Sequence, residues 1–411
     1  MKAGYMATVA IVGTLDTKGR EFDFCRKLFE EQGISTIMIH AGTYPATTDV
    51  DIDDAEVATA GGGELSELLE DRGKSMAVMT RGVKSIISSL YSEGKIDGVF
   101  SLGGSGGTAL ATAGMRELPV GVPKVMVSTM AGGTVSEYVG TSDILMFPSI
   151  VDVQGLNSIL QTILNNAVAA TVGMLKAKKL EEADAKPHIA ATMFGVTTAC
   201  VSRAQEYLEE RGYEIVVFHA TGAGGKSMEQ LIRDGYFVGV LDITATEWCD
   251  ELFGGILAAG PHRHEAAIDA GIPQVISVGA LDMVNFGSPD TVPERYKGRT
   301  FYPHNPQITL MRTTVDENRQ LAEKLAEKLN RADQMTELFL PLKGVSAIAT
   351  EGGPFYDPEA DDMLFHTLEA EVTNPKIMVR ALETDINDPE FAEAAAQALI
   401  DLIDNSKGTA Q

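Results

Sequence analysis

The chain has 411 residues, 44% of them apolar, with a formal net charge of −25. This length predicts two domains, and the composition predicts buried cores and excludes a disordered chain. The acidic balance excludes nucleic acid as a partner, because such binding rests on cationic contacts to phosphate.

Residues 1–5 lead straight into a strand and lack the pattern of a secretory signal. The apolar run 8–12, closed by Gly13, predicts that strand. Residues 21–32 have helical spacing through Phe22, Cys25, Leu28 and Phe29, and Gly33 ends them. A strand at 37–39, a helix at 83–93 and strands at 98–102 and 122–127 follow. Short apolar strands separated by helices predict a parallel sheet covered on both faces. No membrane-spanning run is expected: the best stretch, 156–175, is interrupted by Asn157, Gln161, Asn165 and Asn166. A buried or interface helix over 153–179 instead closes a first domain, 1–180. The polar, proline-terminated segment KKLEEADAKP predicts a linker at 181–186 and a second domain at 187–411.

The second half repeats the plan of the first. FCRKLFEEQGISTIMIHAGT resembles RAQEYLEERGYEIVVFHATG, aligning Gly33 with Gly212 and His40 with His219. GVPKVMVS resembles GIPQVISV and aligns Pro123 with Pro273. Upstream, Ile11-Val12-Gly13-Thr14 resembles Phe194-Gly195-Val196-Thr197, and three matches in one order predict two similar doubly wound α/β units, an internal duplication. A strand at 307–312, a charged helix at 317–330 and a strand at 376–382 are expected to complete the second unit. A last helix starts at Asp388-Pro389 and runs to about 404. Cys25, Cys200 and Cys249 are far apart and form no CxxC, so neither disulfide nor zinc site is expected. A reducing, cytoplasmic setting fits them.

Strand 98–102 runs into Gly103-Gly104-Ser105-Gly106-Gly107-Thr108 and then an alanine-rich helix. Glycines let backbone N–H groups converge on an oxyanion at a helix N-terminus, and Ser105 and Thr108 add hydroxyls. The competing reading is a tight turn that needs glycine for steric reasons. Gly13-Thr14-Leu15-Asp16-Thr17-Lys18-Gly19 also follows a strand. Lys18 can meet a phosphate and Asp16 can help hold a divalent cation, or the two can be a helix cap and a solvated lysine. Both segments, with Ser128-Thr129-Met130, belong at the carboxyl edge of one sheet, where open α/β sheets bind ligands. Distant surface carboxylates matter little there, because screening acts over about 8 Å.

The second half carries its own set. His219-Ala220-Thr221-Gly222-Ala223-Gly224-Gly225 reads as a second oxyanion cradle, leading into a helix with Glu229. Asp242, Glu247, the cluster Pro261-His262-Arg263-His264, Asp282, His304 and Arg312 stand at other strand ends. Histidine and carboxylate groups of this kind suit acid–base work. Arg263 or Arg312 suits holding a substrate carboxylate. No fixed metal-ligand spacing and no GxSxG elbow occurs.

Together GTLDTKG, GGSGGT, VPKVMVSTMA, TMFGVTT, FHATGAGG, GALDMVNFG, HNPQITLMRTT and INDPEF resemble the UPF0261 family, that of the Tm-1-like ATP-binding domain, over nearly the whole chain. The resemblance implies two Rossmann-like domains, ATP and Mg2+ in the first, and self-association as a homodimer. It assigns nucleotide contacts to Thr14, Asp16, Thr17, Lys18, Gly104, Ser105, Gly106, Gly107, Thr108, Ser128, Thr129 and Met130, with Asp16 on the metal. The chain departs from the family pattern after Ala131, where Gly132-Gly133-Thr134-Val135-Ser136-Glu137 replaces Ser-Gly, a polar residue and proline.

The expectation is an ATP-binding protein with an interdomain catalytic cleft acting on a small anionic metabolite. His219, Glu229, Asp242, Glu247, Arg263, His304 and Arg312 are its candidate catalytic residues. ATP-driven ligation or phosphoryl transfer fits, as does hydrolysis or carbon–carbon cleavage without nucleotide. The rival is a non-catalytic module that ATP stabilises.

Overall fold

Apolar runs of four to six residues alternate with helices and place the chain in two compact units, divided after Glu181. The structure, a computed structural model, describes residues 6–68, 71–177 and 186–408. The linker expected at 181–186 lies, Lys186 apart, outside the described residues. So does the expected end of the preceding helix, 178–179.

In the first unit β1 (Thr8–Gly13), β2 (Ser35–His40), β3 (Gly98–Gly103), β4 (Lys124–Ser128) and β5 (Leu145–Pro148) form a parallel sheet in the order β2-β1-β3-β4-β5. The helices are α1 (Leu15–Glu31), α2 (Asp54–Ala60), α3 (Arg72–Ser92), α4 (Ser105–Met115), α5 (Ser136–Val139) and α6 (Ser158–Lys176). Val9 and Ile11 of β1 pack with Phe22 and Phe29 of α1 and Leu160 and Leu164 of α6. Ala10 and Val12 pack on the opposite face with Val78 and Val83 of α3 and Leu110 of α4. Burial on both faces is why these strands read as unbroken apolar runs.

Three boundaries differ from expectation. α1 begins at Leu15 rather than 21, with a break at Lys18 (φ −127°, ψ 21°), so the Thr14-to-Lys18 segment is a single helical turn. α3 begins at Arg72 rather than 83, capped by the Asp71 carboxylate on the Gly73 and Lys74 N–H groups. Its period is masked by Gly82, where a Cβ would stand 1.9 Å from the Val57 carbonyl of α2. α6 begins at Ser158 rather than 153, with the Asn157 side chain accepting from Leu160 N at 3.0 Å. By length and composition alone α6 could cross a membrane, contrary to the expectation that no such run exists. Its Leu160, Leu164, Val168 and Val172 are buried in the core of the unit.

In the second unit β6 (His188–Met193), β7 (Glu214–His219), β8 (Gly239–Thr244) and β9 (Gln274–Gly279) are followed by β10 (Met283–Phe286), β11 (Phe301–Asn305) and β12 (Ile308–Arg312), then β13 (Thr336–Pro341) and β14 (Ile377–Leu382). The parallel sheet runs β14-β13-β9-β8-β6-β7. The helices are α7 (Thr198–Glu209), α8 (Ala223–Arg233), α9 (Glu247–Phe253), α10 (Ala266–Ala270), α11 (Val315–Leu329), α12 (Pro358–Glu371) and α13 (Pro389–Gly408). The strand expected at 307–312 does not join this sheet. It is β12, the centre of an antiparallel three-stranded sheet, β10-β12-β11, because only two residues separate it from β11 and force a hairpin.

The duplication is visible as repeated backbone pairing. Ala41 N donates to Gly13 O and Ala220 N to Met193 O, both at 2.8 Å. Val99 N meets Pro123 O at 2.8 Å, and Val240 N meets Pro273 O at 3.0 Å. Gly33 and Gly212 both turn the chain after a helix at positive φ, 73° and 88°.

Candidate functional site

In the first unit the strand order reverses between β1 and β3. The turn 14–18 follows β1 and the loop 104–108 follows β3, so both flank the crevice where doubly wound sheets bind ligands. Thr14 and Thr17 place their hydroxyls 3.3 Å apart, and Asp16 Oδ1 accepts from Thr17 N at 2.8 Å. Lys18 reaches back to donate its ammonium to the Val153 carbonyl. His40 positions this turn: its Nδ1 accepts from Leu15 N at 3.2 Å and Gly42 N at 3.3 Å. The ring proton is therefore on Nε2, which donates to Tyr44 O at 2.8 Å. The duplication pairs His40 with His219, yet sequence reasoning selected only the latter.

The loop after β3 enters α4 through Gly104, which is extended and supplies no side-chain cap. Thr108 N makes the first intrahelical bond, to Gly104 O at 2.9 Å. The N–H groups of Ser105, Gly106 and Gly107 thus have no intrahelical acceptor. The glycines separate into two kinds. A Cβ at Gly13 would stand 2.0 Å from Phe22 and one at Gly19 2.2 Å from Thr47, so packing demands glycine there. At Gly103, Gly104, Gly106 and Gly107 a Cβ would meet nothing closer than 3.5 Å. None of these four has positive φ. Among the described residues, neither positive φ nor packing calls for glycine at these four positions.

The third loop joins the second. Thr108 Oγ1 lies 2.6 Å from Ser128 Oγ, Ser128 Oγ accepts from Met130 N at 2.9 Å, and Thr129 N donates to Gly103 O at 3.2 Å. Beyond them opens a cavity of about 480 Å³, lined by Ser128, Thr129, Gly132, Ser149, Ile150 and Asp152 among others. Its 149–152 wall escaped the sequence reading, having no glycine signature and following a strand, β5, that was not foreseen. Among the described residues no group of three or more His, Cys, Asp or Glu could hold a metal ion.

In the second unit the candidates gather, but around one another. Arg263, 1% exposed, forks onto Asp242 at 2.5 and 2.7 Å and donates Nε to Glu247 at 2.8 Å; Glu229 lies 3.4 Å away. The second cradle is filled from within: Gly222 N and Gly225 N donate to Glu247 Oε1 at 2.7 and 3.1 Å. Glu229 accepts from His264 N and Ala266 N. His264 Nδ1 accepts from Trp248 Nε1 at 2.8 Å, so its proton sits on Nε2, 3.2 Å from Asp242. Burial alone would raise the Asp242 carboxyl, but Arg263 beside it outweighs burial and holds it far below the usual range. Glu229, Asp242, Glu247 and Arg263 thus form a closed, buried ion-pair network, and Arg263 holds a protein carboxylate rather than a free one.

Arg312 is likewise spent internally, on Phe355 O at 2.8 Å and Asp361 at 2.6 Å. Asp282 is wholly buried and accepts from Ser346 Oγ at 2.8 Å. His219 and His304 are exposed, on β7 and β11 respectively. The three cysteines are buried and free, and burial raises each thiol, as suits core residues.

Among the described residues the Asp250 carboxylate has no cation partner; it accepts from Asn285 N, Asn285 Nδ2 and Leu257 N. Burial pushes its carboxyl up to about 7 despite these donors. A carboxyl raised on folding contributes stability that is full below about pH 4 and lost as pH rises through 7. Wild type is expected to lose stability, on the order of a few kcal/mol, between pH 4 and 8. Asp250→Asn is expected to be less stable at pH 5, having lost an acceptor, yet to show a flatter slope. Urea midpoints measured at pH 5, 6, 7 and 8 check this; parallel slopes would refute it.

Comparison with known proteins assigns the chain. The family described as "Uncharacterised protein family (UPF0261) N-terminal domain" matches residues 7–180, and its C-terminal counterpart matches 186–403. A UPF0261 protein of Clostridium tetani is 53% identical over 399 residues, 96% of this chain and 99% of that protein. The ToMV susceptible protein tm-1(GCR26) of Solanum lycopersicum is 39% identical over 96% of this chain, which spans 55% of the tomato protein. A solved UDP-GlcNAc 2-epimerase of Methanocaldococcus jannaschii, covering 96% of this chain and 99% of its own, has 9% identity and a TM-score of 0.23, too low to bear on this chain. With both domains matched end to end, this chain belongs to the UPF0261 family.

Proposed function

We propose that the first unit binds ATP, with its phosphates on the N–H groups of the 104–108 loop and the turn 14–18 closing on them. One observation carries the reading: Gly104, Gly106 and Gly107 are glycine where neither φ nor internal packing requires it. Close approach of a bound anion to backbone does require it. The resemblance to the Tm-1-like ATP-binding domain supports ATP as that anion. Mg2+ fits the donor set, since it takes one or two carboxylates plus phosphate oxygens and keeps its waters. Asp16 supplies that carboxylate. A Cβ at Gly42 would lie 2.5 Å from Asp16 Oδ2, so the glycine there clears the acid's position.

A second reading, an ATP-stabilised module without catalysis, draws support from the second unit. Four of its catalytic candidates are consumed in a buried network and Arg312 is held by Phe355 and Asp361, leaving His219 and His304 exposed. An enzyme acting on a small anionic metabolite as a homodimer would turn on those two. ADP release in the presence of a metabolite panel separates the readings.

Calorimetry on the full chain with ATP and Mg2+ tests the binding itself. Saturable binding is expected, roughly tenfold weaker in Lys18→Ala, which removes a charge-assisted contact. No heat at millimolar ATP would overturn the reading.

A further inference from the structure

The antiparallel sheet of the second unit borders a cavity of about 310 Å³. Thr309 lines it and is 3% exposed, while the Glu294 and Lys297 side chains, which also line it, are 92% and 83% exposed. The threonine is therefore at the floor and the charged pair at the rim. β12 lies between β10 and β11, so its backbone serves the two ladders, and Thr309 meets the cavity with its side chain, opposite Pro303 of β11. Among the described residues its hydroxyl has no hydrogen-bond partner. Leaving a buried hydroxyl unpaired is costly, and the large majority of such groups are paired.

The walls are apolar and stiff. Pro289, Val292, Pro293, Phe301 and Pro303 supply them, and each proline fixes its own φ. The segment that carries the first three is anchored: Tyr296 Oη donates to the Phe253 carbonyl at 2.6 Å, and Arg295 donates to the same oxygen at 3.0 Å. Apolar walls around one fixed polar group are the form that small-molecule sites take, and the volume falls at the lower end of their range.

We infer that this cavity binds a small uncharged ring compound, its ring against Phe301 and the prolines and its polar group on the Thr309 hydroxyl. Charge excludes an ion. Lys297 Nζ and Glu294 Oε2 stand 3.9 Å apart and offset one another at the rim, and the other lining residues carry no charge. An ion at the floor would give up its hydration and find no partner. Phe301 offers the face that a planar ring stacks on. The site stands apart from the ATP reading, being formed wholly within the second unit.

Calorimetry on the full chain with phenol, toluene and benzoate tests this, because the three share one ring and differ in its substituent. Wild type is expected to bind phenol saturably and roughly tenfold more tightly than toluene, the worth of one neutral hydrogen bond, and not to bind benzoate. Thr309→Val, close in shape, is expected to bind phenol and toluene alike and to melt no lower than wild type, since it removes an unpaired buried hydroxyl. Thr309→Ser keeps the hydroxyl and is expected to keep the preference for phenol. Wild type that does not bind phenol at millimolar concentration, a phenol preference that survives in Thr309→Val, or benzoate bound as tightly as phenol would overturn the inference.

Discussion

Arg263→Ala is expected to destabilise the second unit by about 3–5 kcal/mol, because it leaves Asp242, Glu247 and Glu229 buried without their shared cation. That is a large part of the 5–15 kcal/mol typical of a whole domain, so the unfolding midpoint should fall sharply. Arg263→Lys is expected to recover only part of the loss. An ammonium is a point charge and cannot reproduce the fork onto Asp242 together with the Nε bond to Glu247. Far-UV circular dichroism in urea reads the effect. An Arg263→Ala midpoint within error of wild type would show that the carboxylates are not held by this guanidinium. The network also sets acid behaviour. Asp242 lies far below its unfolded pKa, so its contribution is full above about pH 4 and lost as pH falls further. Glu265, held near 2 by Lys328, His262 and Arg331 against the effect of its burial, acts in the same direction.

Gly106→Val is expected to weaken ATP binding by at least about 100-fold while leaving the fold intact. At this position a Cβ meets only Met76 Cε, at 4.0 Å. Valine also has a slightly better helix propensity than glycine, so Tm should hold or rise a little. Binding falls because the branched side chain stands where an oxyanion approaches the Ser105, Gly106 and Gly107 N–H groups, and losing several charge-assisted bonds costs about 3 kcal/mol. Gly224→Ala is the contrast from the glycine loop of the second unit. Its Cβ would stand 1.9 Å from the His219 carbonyl, so Tm is expected to drop. Calorimetry and thermal melts on the two variants separate the loops. Gly106→Val that melts early, or that binds ATP like wild type, would remove the main support for the ligand reading.

The two variants state in experimental form what the molecule does with one repeated pattern. Strand, glycine loop and helix recur at 98–115 and 214–233. In the first, no side-chain cap bond closes the helix N-terminus among the described residues; in the second, the Glu247 carboxylate does so. The histidines aligned by the duplication diverge in the same way. His40 is buried and braces the turn after β1, whereas His219 is exposed.

Much of the architecture was legible in residue order. Apolar runs at 8–12, 98–102 and 122–127 mark buried parallel strands, Gly33 and Gly212 mark helix ends, and the repeat at 24–43 and 203–222 predicts two sheets of like order. These signals are local: side-chain period and glycine conformational freedom act over a few residues. The antiparallel sheet was missed because β10 is only four residues long, and β12 reads like any other buried strand. The candidate site divides along the same line. That 14–18, 104–108 and 128–130 share a sheet edge follows from each coming after a parallel strand. Whether a glycine cradle is free to meet a ligand does not follow, because its occupant can be a side chain more than twenty residues away, as Glu247 is for Gly222 and Gly225. Only tertiary structure brings that carboxylate and Arg263 into the second cradle's neighbourhood, and only tertiary structure sets Ile150 at positive φ on the wall of the cavity beside Ser128.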